Sequence, residues 1–306
     1  MIKKAILVFL FFTAAVAVFS FSIYAPESAV QGGVITLVIE EGCVYEDINV
    51  ELARGDETYS KTNVFETEIS EYEVDIALLG VPSTLKPGVY SIYAADEDGE
   101  RYRRDIIIKA KEFINEDIPL SRSMSDLRQS DDVKKAEQWR NLLVILRTVD
   151  REHIYEERNL AIPVSDYLRT SSFYGDRRRF LYDDGTTARS IHNGIDYSAE
   201  IGTPVYSAGR GRVVFSGDRI ISGNTVVIEH LPGVYSLYYH MNSRSVSEDD
   251  MVDSGQQLGT VGSTGLATGA HLHWEIRVAG VAVDPVPLMR GDIIDKAFIL
   301  STIDEQ

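Results

Sequence analysis

Gly269-Ala270-His271-Leu272-His273-Trp274-Glu275-Ile276-Arg277-Val278 is typical of a β-strand, because apolar and polar residues alternate along most of it. In a strand, side chains two residues apart point to the same face of the sheet. His271 and His273 are therefore expected to project together, while Leu272 and Trp274 point the other way. Two imidazoles on one face can supply half of a zinc site.

The other ligands are expected from His192-Asn193-Gly194-Ile195-Asp196, which offers one imidazole nitrogen and one carboxylate oxygen. The Asn-Gly pair lets the backbone bend between them. Three protein ligands leave a fourth position for water, as in catalytic rather than structural zinc sites. An H-x-H pair alone is weak evidence, but five of the six histidines fall within residues 192–273. The spacing does not say whether His271 or His273 would bind the metal.

Five motifs follow one another in a fixed order along the C-terminal half of the chain. They are His192-x-Gly194-x-Asp196, Gly223-Asn224-Thr225-Val226-Val227-Ile228-Glu229-His230, Tyr238-Tyr239-His240-Met241, Gly255-Gln256-Gln257-Leu258-Gly259-x-Val261-Gly262-x-Thr264-Gly265 and His271-Leu272-His273. In this order and spacing, residues 163–287 resemble the lysostaphin-type (LytM-like) zinc metallopeptidases, which are peptidoglycan endopeptidases.

The resemblance implies one zinc ion per chain, held by His192, Asp196 and His273. It gives His271 the role of general base and acid, and His240 that of orienting the water or stabilising the tetrahedral intermediate. The implied reaction is hydrolysis of a peptide bond in peptidoglycan cross-links or stem peptides. The alternative is a catalytically silent cell-wall binding or hydrolase-activating protein of the same fold. A peptidase that cleaves secreted proteins is a third possibility.

Further residues are candidates for the substrate groove. Arg177 and Arg178 would brace the site or meet a substrate carboxylate, and a structural salt bridge is an equal alternative. The resemblance suggests that Asn224 orders the groove. His230 is expected to be structural, the alternative being that it replaces His240. Family members often carry a tyrosine shortly before the first motif, but residues 186–190 contain none, so the oxyanion-stabilising residue is unassigned.

Composition excludes several classes of partner. The formal net charge is −17 and the pI about 4.8, which argues against binding to nucleic acid, because phosphate contacts need a basic surface. Gly262-Ser263-Thr264-Gly265 resembles a phosphate loop, but no lysine follows, so nucleotide binding is not expected. The single cysteine, Cys43, excludes an intramolecular disulfide and is expected to be a small buried residue.

The chain is expected to be mostly β and to have five parts. Residues 1–25, with two lysines before an apolar run, predict a signal peptide or a membrane anchor, and hence export to the periplasm or cell envelope with a possible membrane tether. Residues 26–110 predict an immunoglobulin-like β-sandwich. Residues 111–162 predict a helical connector, with a helix from about residue 130 to 149. Residues 163–290 predict an antiparallel β-sandwich metallopeptidase domain, and residues 291–306 a surface tail.

Overall fold

The computed structural model describes residues 22–40, 48–95, 101–130 and 133–304, and its secondary structure is dominated by strands. The predicted mostly-β fold class is therefore confirmed. Most of the predicted export segment, as well as Cys43, lies outside the described residues. Among the residues described, no helix combines the length and the apolar character needed to cross a bilayer.

The N-terminal part is a sandwich of two sheets. Its strands are β1 Ser22–Tyr24, β2 Ser28–Val30, β3 Val34–Glu40, β4 Asn49–Arg54, β5 Glu57–Asn63, β6 Phe65–Ile69, β7 Tyr72–Gly80, β8 Gly88–Ala95 and β9 Arg101–Lys109. One sheet has the order β1-β3-β7-β6 and the other β2-β9-β8-β4-β5. Residues such as Ile35, Leu37 and Leu52 fill the space between the sheets and are fully buried.

Strands β3 and β7 are buried on both faces. Ile35 and Leu37 face the sandwich core, whereas Val38, Ile76 and Leu78 belong to the core of the C-terminal part. This double burial explains why both strands read as nearly continuous apolar runs, as strands covered on both faces do. The sandwich and the C-terminal part therefore share a packed apolar interface.

The connector contains strand β10 Asn115–Pro119, helix α1 Arg122–Gln129 and helix α2 Val133–Arg147. Ser121 begins α1, because its side-chain oxygen accepts a hydrogen bond from the Met124 amide. Sequence periodicity predicts only the second helix, and Ser130 caps the end of α1 rather than the start of α2. Leu142 and Leu146 of α2 pack on the C-terminal sheet, so this helix covers an apolar face of that sheet.

The C-terminal part is built on one large sheet. Its strands are β11 Arg169–Ser172, β12 Arg177–Leu181, β13 Thr187–Ile191, β14 Ile195–Ser198, β15 Pro204–Tyr206, β16 Gly211–Arg219, β17 Gly223–Leu231, β18 Val234–Arg244, β19 Met251–Val252, β20 Gln257–Val261, β21 His271–Val278 and β22 Val281–Val283. The main order is β11-β14-β21-β18-β17-β16-β19, with β15, β20 and β22 attached at its sides. A separate three-stranded sheet, β10-β12-β13, ties the connector to this part through the parallel β10–β12 pair.

The predicted surface tail is wrong. Residues 285–304 contain helices α3 Pro285–Arg290 and α4 Lys296–Asp304, and Ile293, Ile294 and Ile299 are buried. Helix α4 contacts β3 and β6 of the sandwich. The tail is held because its isoleucines complete the apolar core between the two parts.

We expect Ile299→Ala to lower the free energy of unfolding by about 2–5 kcal/mol, because it leaves a cavity where the side chain is fully buried. The matched control is Ser301→Ala on the exposed face of α4, which should change it by less than about 0.5 kcal/mol. Urea unfolding followed by tryptophan fluorescence measures both. Equal, small effects of the two substitutions would contradict the buried position of the tail.

Candidate metal site

Strand pairing brings distant residues of the chain together. β14 pairs antiparallel with β21, and the register sets Asp196 directly opposite His273 and Ser198 opposite His271. His192 lies just before β14 and reaches the same point because the backbone passes close to β21 at Gly194. A Cβ atom at Gly194 would lie 2.2 Å from the Trp274 carbonyl oxygen, so only glycine fits there.

Three side-chain atoms form a tight cluster. His192 Nε2 lies 3.0 Å from Asp196 Oδ1 and 2.9 Å from His273 Nδ1, and the latter two atoms are 2.7 Å apart. All three residues are buried, and they form a group that could hold a metal ion. Two imidazole nitrogens and a carboxylate oxygen this close together fit a single ion with bonds of about 2.0–2.2 Å.

Hydrogen bonds on the outer side of each imidazole place a proton on its outer nitrogen. His192 Nδ1 donates to the Phe173 carbonyl oxygen at 2.8 Å, and His273 Nε2 donates to Glu275 Oε1 at 2.9 Å. The inner nitrogen of His273, Nδ1, also donates to Asp196 Oδ1 at 2.7 Å. Burial would lower the pKa of His273, but Asp196 and Glu275 outweigh it and raise that pKa to about 9. Binding of a metal would release this proton, so that the inner nitrogen of each ring could serve as a ligand. The donor set is therefore consistent with a metal site.

Electrostatics keep the carboxylates of this cluster ionised. Burial alone would raise the pKa of Asp196, but His192 and His273 outweigh it and hold that pKa well below its ordinary value. Burial would also raise the pKa of Glu275, yet Arg277 and His273 together lower it to about 2. Two negatively charged carboxylates thus border His273.

Two further histidines border the cluster. His271 Nδ1 donates to the Gly269 carbonyl oxygen at 2.8 Å, which leaves Nε2 3.7 Å from Asp196 Oδ1. His240 Nδ1 donates to the Thr264 carbonyl oxygen at 2.7 Å, and its ring lies 4.8 Å from that of His271. Burial lowers the pKa of both, that of His240 to about 3. Each imidazole is therefore neutral near pH 7, and neither Nε2 makes a hydrogen bond with the described residues.

Arg178 contacts a member of the cluster. Its Nη2 donates to Asp196 Oδ2 at 2.6 Å, and its Nε donates to Glu116 Oε2 at 3.3 Å. The two oxygens of Asp196 are thus divided, one toward the imidazoles and one toward the guanidinium. Of the predicted alternatives, this contact resembles the brace and the salt bridge, since Nε and Nη2 are each paired with a carboxylate.

The two other predicted groove residues lie elsewhere. Arg177 donates to the Ser83 hydroxyl and carbonyl oxygens of the sandwich and lies 4.3 Å above the Phe113 ring. Asn224 donates to the Met241 carbonyl oxygen at 3.1 Å. It is not among the described residues that line the cleft around the histidines. Both contacts are of the kind that hold structural elements together.

The cluster opens into a cleft of about 200 Å³. The histidines and Asp196 form one wall, with Tyr239 and Leu266 beside them. Ile118, Leu120 and Met124 of the connector line the cleft as well. Sequence reasoning missed this part of the lining, although the apolar pair on either side of Pro119, within a charged stretch, was a signal for buried contact.

His230 lies apart from the cluster. Its Nδ1 donates to the Arg210 carbonyl oxygen at 2.8 Å, and its Nε2 lies 2.7 Å from Ser236 Oγ. Its ring is fully buried, and burial lowers its pKa to about 4, despite the nearby charge of Glu156. The environment is that of a structural histidine, as the sequence suggested.

Sequence comparison places this part of the chain among known proteins. The profile of peptidase family M23 matches residues 190–285. The DD-carboxypeptidase/endopeptidase Mpg of Neisseria meningitidis serogroup B is 40% identical over 137 residues, 45% of this chain and 31% of that protein. The peptidoglycan DD-endopeptidase ShyA of Vibrio cholerae serotype O1 is 38% identical over 131 residues, 43% of this chain and 29% of that protein. The chain thus spans less than a third of the length of these relatives.

Two solved structures are similar. The catalytic domain of the antimicrobial peptidase lysostaphin from Staphylococcus simulans is 30% identical, with a TM-score of 0.36, and the match covers 41% of this chain and 93% of that domain. A putative peptidase M23 from Pseudomonas aeruginosa is 22% identical, with a TM-score of 0.53 over 85% of this chain and 94% of that one. The second similarity extends the likeness in fold to the N-terminal sandwich.

His230 gives the chain a pH-dependent term in its stability. Its pKa in the folded chain, about 4, is below the ordinary 6.5, so between these values the unfolded chain binds the extra proton. The stability that the neutral His230 contributes is complete above pH 6.5 and is lost as the pH falls toward 4. When the pH falls from 7.5 to 5, we expect the free energy of unfolding of wild type to decrease by about 2 kcal/mol more than that of His230→Gln.

The measurement is urea unfolding of both proteins at pH 7.5, 6 and 5 in the presence of a chelator. The other ionisable groups are the same in both proteins, so their contributions cancel in the difference. Ser301→Ala, on the exposed face of α4, removes no ionisable group and is the control, which should keep the wild-type pH dependence. A His230→Gln curve parallel to that of wild type would refute the assignment.

Proposed function

Because residues 190–285 form a domain of peptidase family M23, we propose that the chain is a zinc-dependent endopeptidase that hydrolyses peptide bonds in peptidoglycan cross-links or stem peptides. The observation that carries the proposal is the cluster of His192 Nε2, Asp196 Oδ1 and His273 Nδ1, all within 3.0 Å of one another. The names of the relatives, among them a peptidoglycan DD-endopeptidase, support this substrate class.

His192, Asp196 and His273 would hold the zinc ion. When bound, zinc supplies a Lewis acid that polarises a carbonyl group and makes water nucleophilic near neutral pH. The carboxylate gives the three ligands one negative charge, and Arg178 on its second oxygen keeps that carboxylate in one orientation. The chain's own part in the chemistry is then to position the peptide and to move protons.

His271 is proposed as the residue that moves the proton. Its free Nε2 lies next to the ligand cluster, and its Nδ1 is occupied by the Gly269 carbonyl oxygen. As a neutral imidazole it can take a proton from the attacking water and then give it to the leaving nitrogen. Cleavage of the C–N bond then yields one carboxylate and one amine, and the imidazole returns to its neutral form.

His240 is proposed to assist from the other side of the cleft. Its backbone has a positive φ of 61°, a strained conformation for a residue with a side chain. The Thr264 carbonyl oxygen holds Nδ1, so that Nε2 is free to contact the water or the developing oxyanion. Strain that persists beside a reactive cluster supports a functional role for this residue.

We further propose that the protein acts in the cell envelope. Peptidoglycan lies outside the cytoplasm, and Lys3 and Lys4 precede an apolar run that is typical of an export segment or an anchor. Periplasmic release after cleavage and a retained membrane tether are the two forms of this proposal. Cell fractionation, together with the mass of the mature N-terminus, distinguishes them.

We expect His271→Ala to lower the rate of muropeptide release by about 10²- to 10⁴-fold, because a positioned acid–base group contributes that much. Its zinc content should stay near one ion per chain, since the proposed ligands are intact. Mass spectrometry of muropeptides released from purified sacculi gives the rate, and elemental analysis gives the zinc. His153→Ala, at an exposed histidine that is not among the described residues lining the cleft, is the control and should keep full activity.

Zinc that binds without any release of muropeptides would instead favour the catalytically silent binding or activating protein. Cleavage of a secreted protein but not of sacculi would favour the third possibility, a peptidase that cleaves secreted proteins.

Removal of the metal should abolish activity and be reversible. Treatment with a chelator is expected to stop muropeptide release, and one equivalent of zinc should restore it. His192→Ala should show no such recovery, because two remaining ligands bind zinc far more weakly. Full activity in the presence of excess chelator, with no zinc in the sample, would rule out the metallopeptidase mechanism.

A further inference from the structure

A row of polar side chains continues beyond the ligand cluster along strand β21. His271, His273, Glu275 and Arg277 alternate with apolar residues and so share one face of the strand. His273, Glu275 and Arg277 are all less than a tenth exposed. Burying a carboxylate and a guanidinium is costly unless each is paired and hydrogen-bonded. The hydrogen-bond partners of Glu275 and Arg277 therefore show how these buried charges are compensated.

The two oxygens of Glu275 serve different partners. Oε2 accepts hydrogen bonds from Arg277 Nε at 2.7 Å and from Arg277 Nη2. Oε1 accepts the hydrogen bond from His273 Nε2 at 2.9 Å. Arg277 is itself anchored at its far end, because Nη1 donates to the Gly280 carbonyl oxygen at 3.3 Å. The carboxylate is thus fixed on one side and presents a single oxygen to the imidazole.

The plane of the His273 ring is also fixed. The Tyr239 ring, opposite His273 in the β18–β21 ladder, stacks on it with a centroid distance of 5.2 Å and an angle of 11° between the planes. His192 differs in its outer partner, which is the neutral carbonyl group of Phe173. One imidazole of the cluster is therefore held by a carboxylate and the other by the backbone.

We propose that Glu275, anchored by Arg277, is a positioning residue that fixes the tautomer and orientation of His273 and thereby sets the zinc affinity of the site. The inference rests on the proposed function, since it requires a metal at the cluster. A carboxylate that accepts the outer N–H of a ligand imidazole makes the inner nitrogen a better donor, and its loss typically costs 10- to 100-fold in metal affinity.

The chain contains a matched control for this test. Glu229 on β17 is also a fully buried carboxylate paired with an arginine, Arg212, at 2.8 Å. Its second oxygen accepts a hydrogen bond from the Tyr235 hydroxyl at 3.2 Å, and no histidine contacts it among the described residues. Glu229→Gln therefore reproduces the disturbance of a buried Glu–Arg pair without touching the cluster.

The experiment measures zinc affinity by competition with a chromophoric chelator. We expect Glu275→Gln to bind zinc 10- to 100-fold more weakly than wild type, whereas Glu229→Gln stays within about twofold. Circular dichroism of the metal-free proteins checks that both variants are folded. An affinity of Glu275→Gln within twofold of wild type, or equal losses in both variants, would overturn the inference. Wild type that binds no zinc would overturn the proposed function itself, and is a distinct outcome.

A second measurement needs no substitution and covers the case in which Glu275→Gln does not fold. Long-range proton–nitrogen correlation spectra of zinc-loaded wild type report which nitrogen of each imidazole carries the proton. We expect the proton of His273 on Nε2 and that of His192 on Nδ1. A His273 ring with its proton on Nδ1 would overturn the inference.

Discussion

The antiparallel pairing of β14 with β21 is the constraint on which the site depends. It sets Asp196 opposite His273, two residues 77 positions apart in the chain. A shift of the register by one residue would turn every side chain of β21 to the opposite face. The imidazoles would then enter the core, and Leu272 and Trp274 would leave it. The burial of these two apolar residues therefore fixes the positions of the metal ligands.

The same reasoning extends to the rest of the chain. Strands β3 and β7 take part in two cores, and the C-terminal helices fill the space between them. The backbone amide of Asp284 donates to the Gly32 carbonyl oxygen, and Lys111 pairs with the Asp284 side chain. Because apolar packing and polar contacts join the sandwich to the C-terminal part, the sandwich is a support of the sheet that carries the site. A loosely tethered module would not need strands covered on both faces.

Local sequence patterns predicted the features that depend on local physics. The pattern of residues 26–110 predicted a β-sandwich, and the strand period placed His271 and His273 on one face. What the sequence could not reveal depends on packing between distant segments. The buried tail is an example, because Ile293 and Ile299 are ordinary residues until β3 and β6 lie against them.

The connector is a second example of this limit. Strand β10 is short and none of its residues is buried, and its parallel partner β12 lies about 60 residues further along the chain. No turn signal links the two strands, so the pairing was not predictable. The contacts of Arg178 with Asp196 and Glu116 were also hidden, since an arginine in a run of three looks like an exposed residue until its neighbours are known.

The backbone at His240 shows how the surroundings maintain a costly conformation. A positive φ at a residue with a side chain costs on the order of 1–3 kcal/mol and persists only where neighbouring contacts impose it. Here the His240 amide donates to the Ser222 carbonyl oxygen, and the ring donates to that of Thr264. The two segments that supply these oxygens fit closely, because a Cβ atom at Gly223 would lie 2.1 Å from Thr264 Oγ1. The position of the Nε2 atom of His240 is therefore determined by the close packing of these two segments, which holds it in place before any substrate enters.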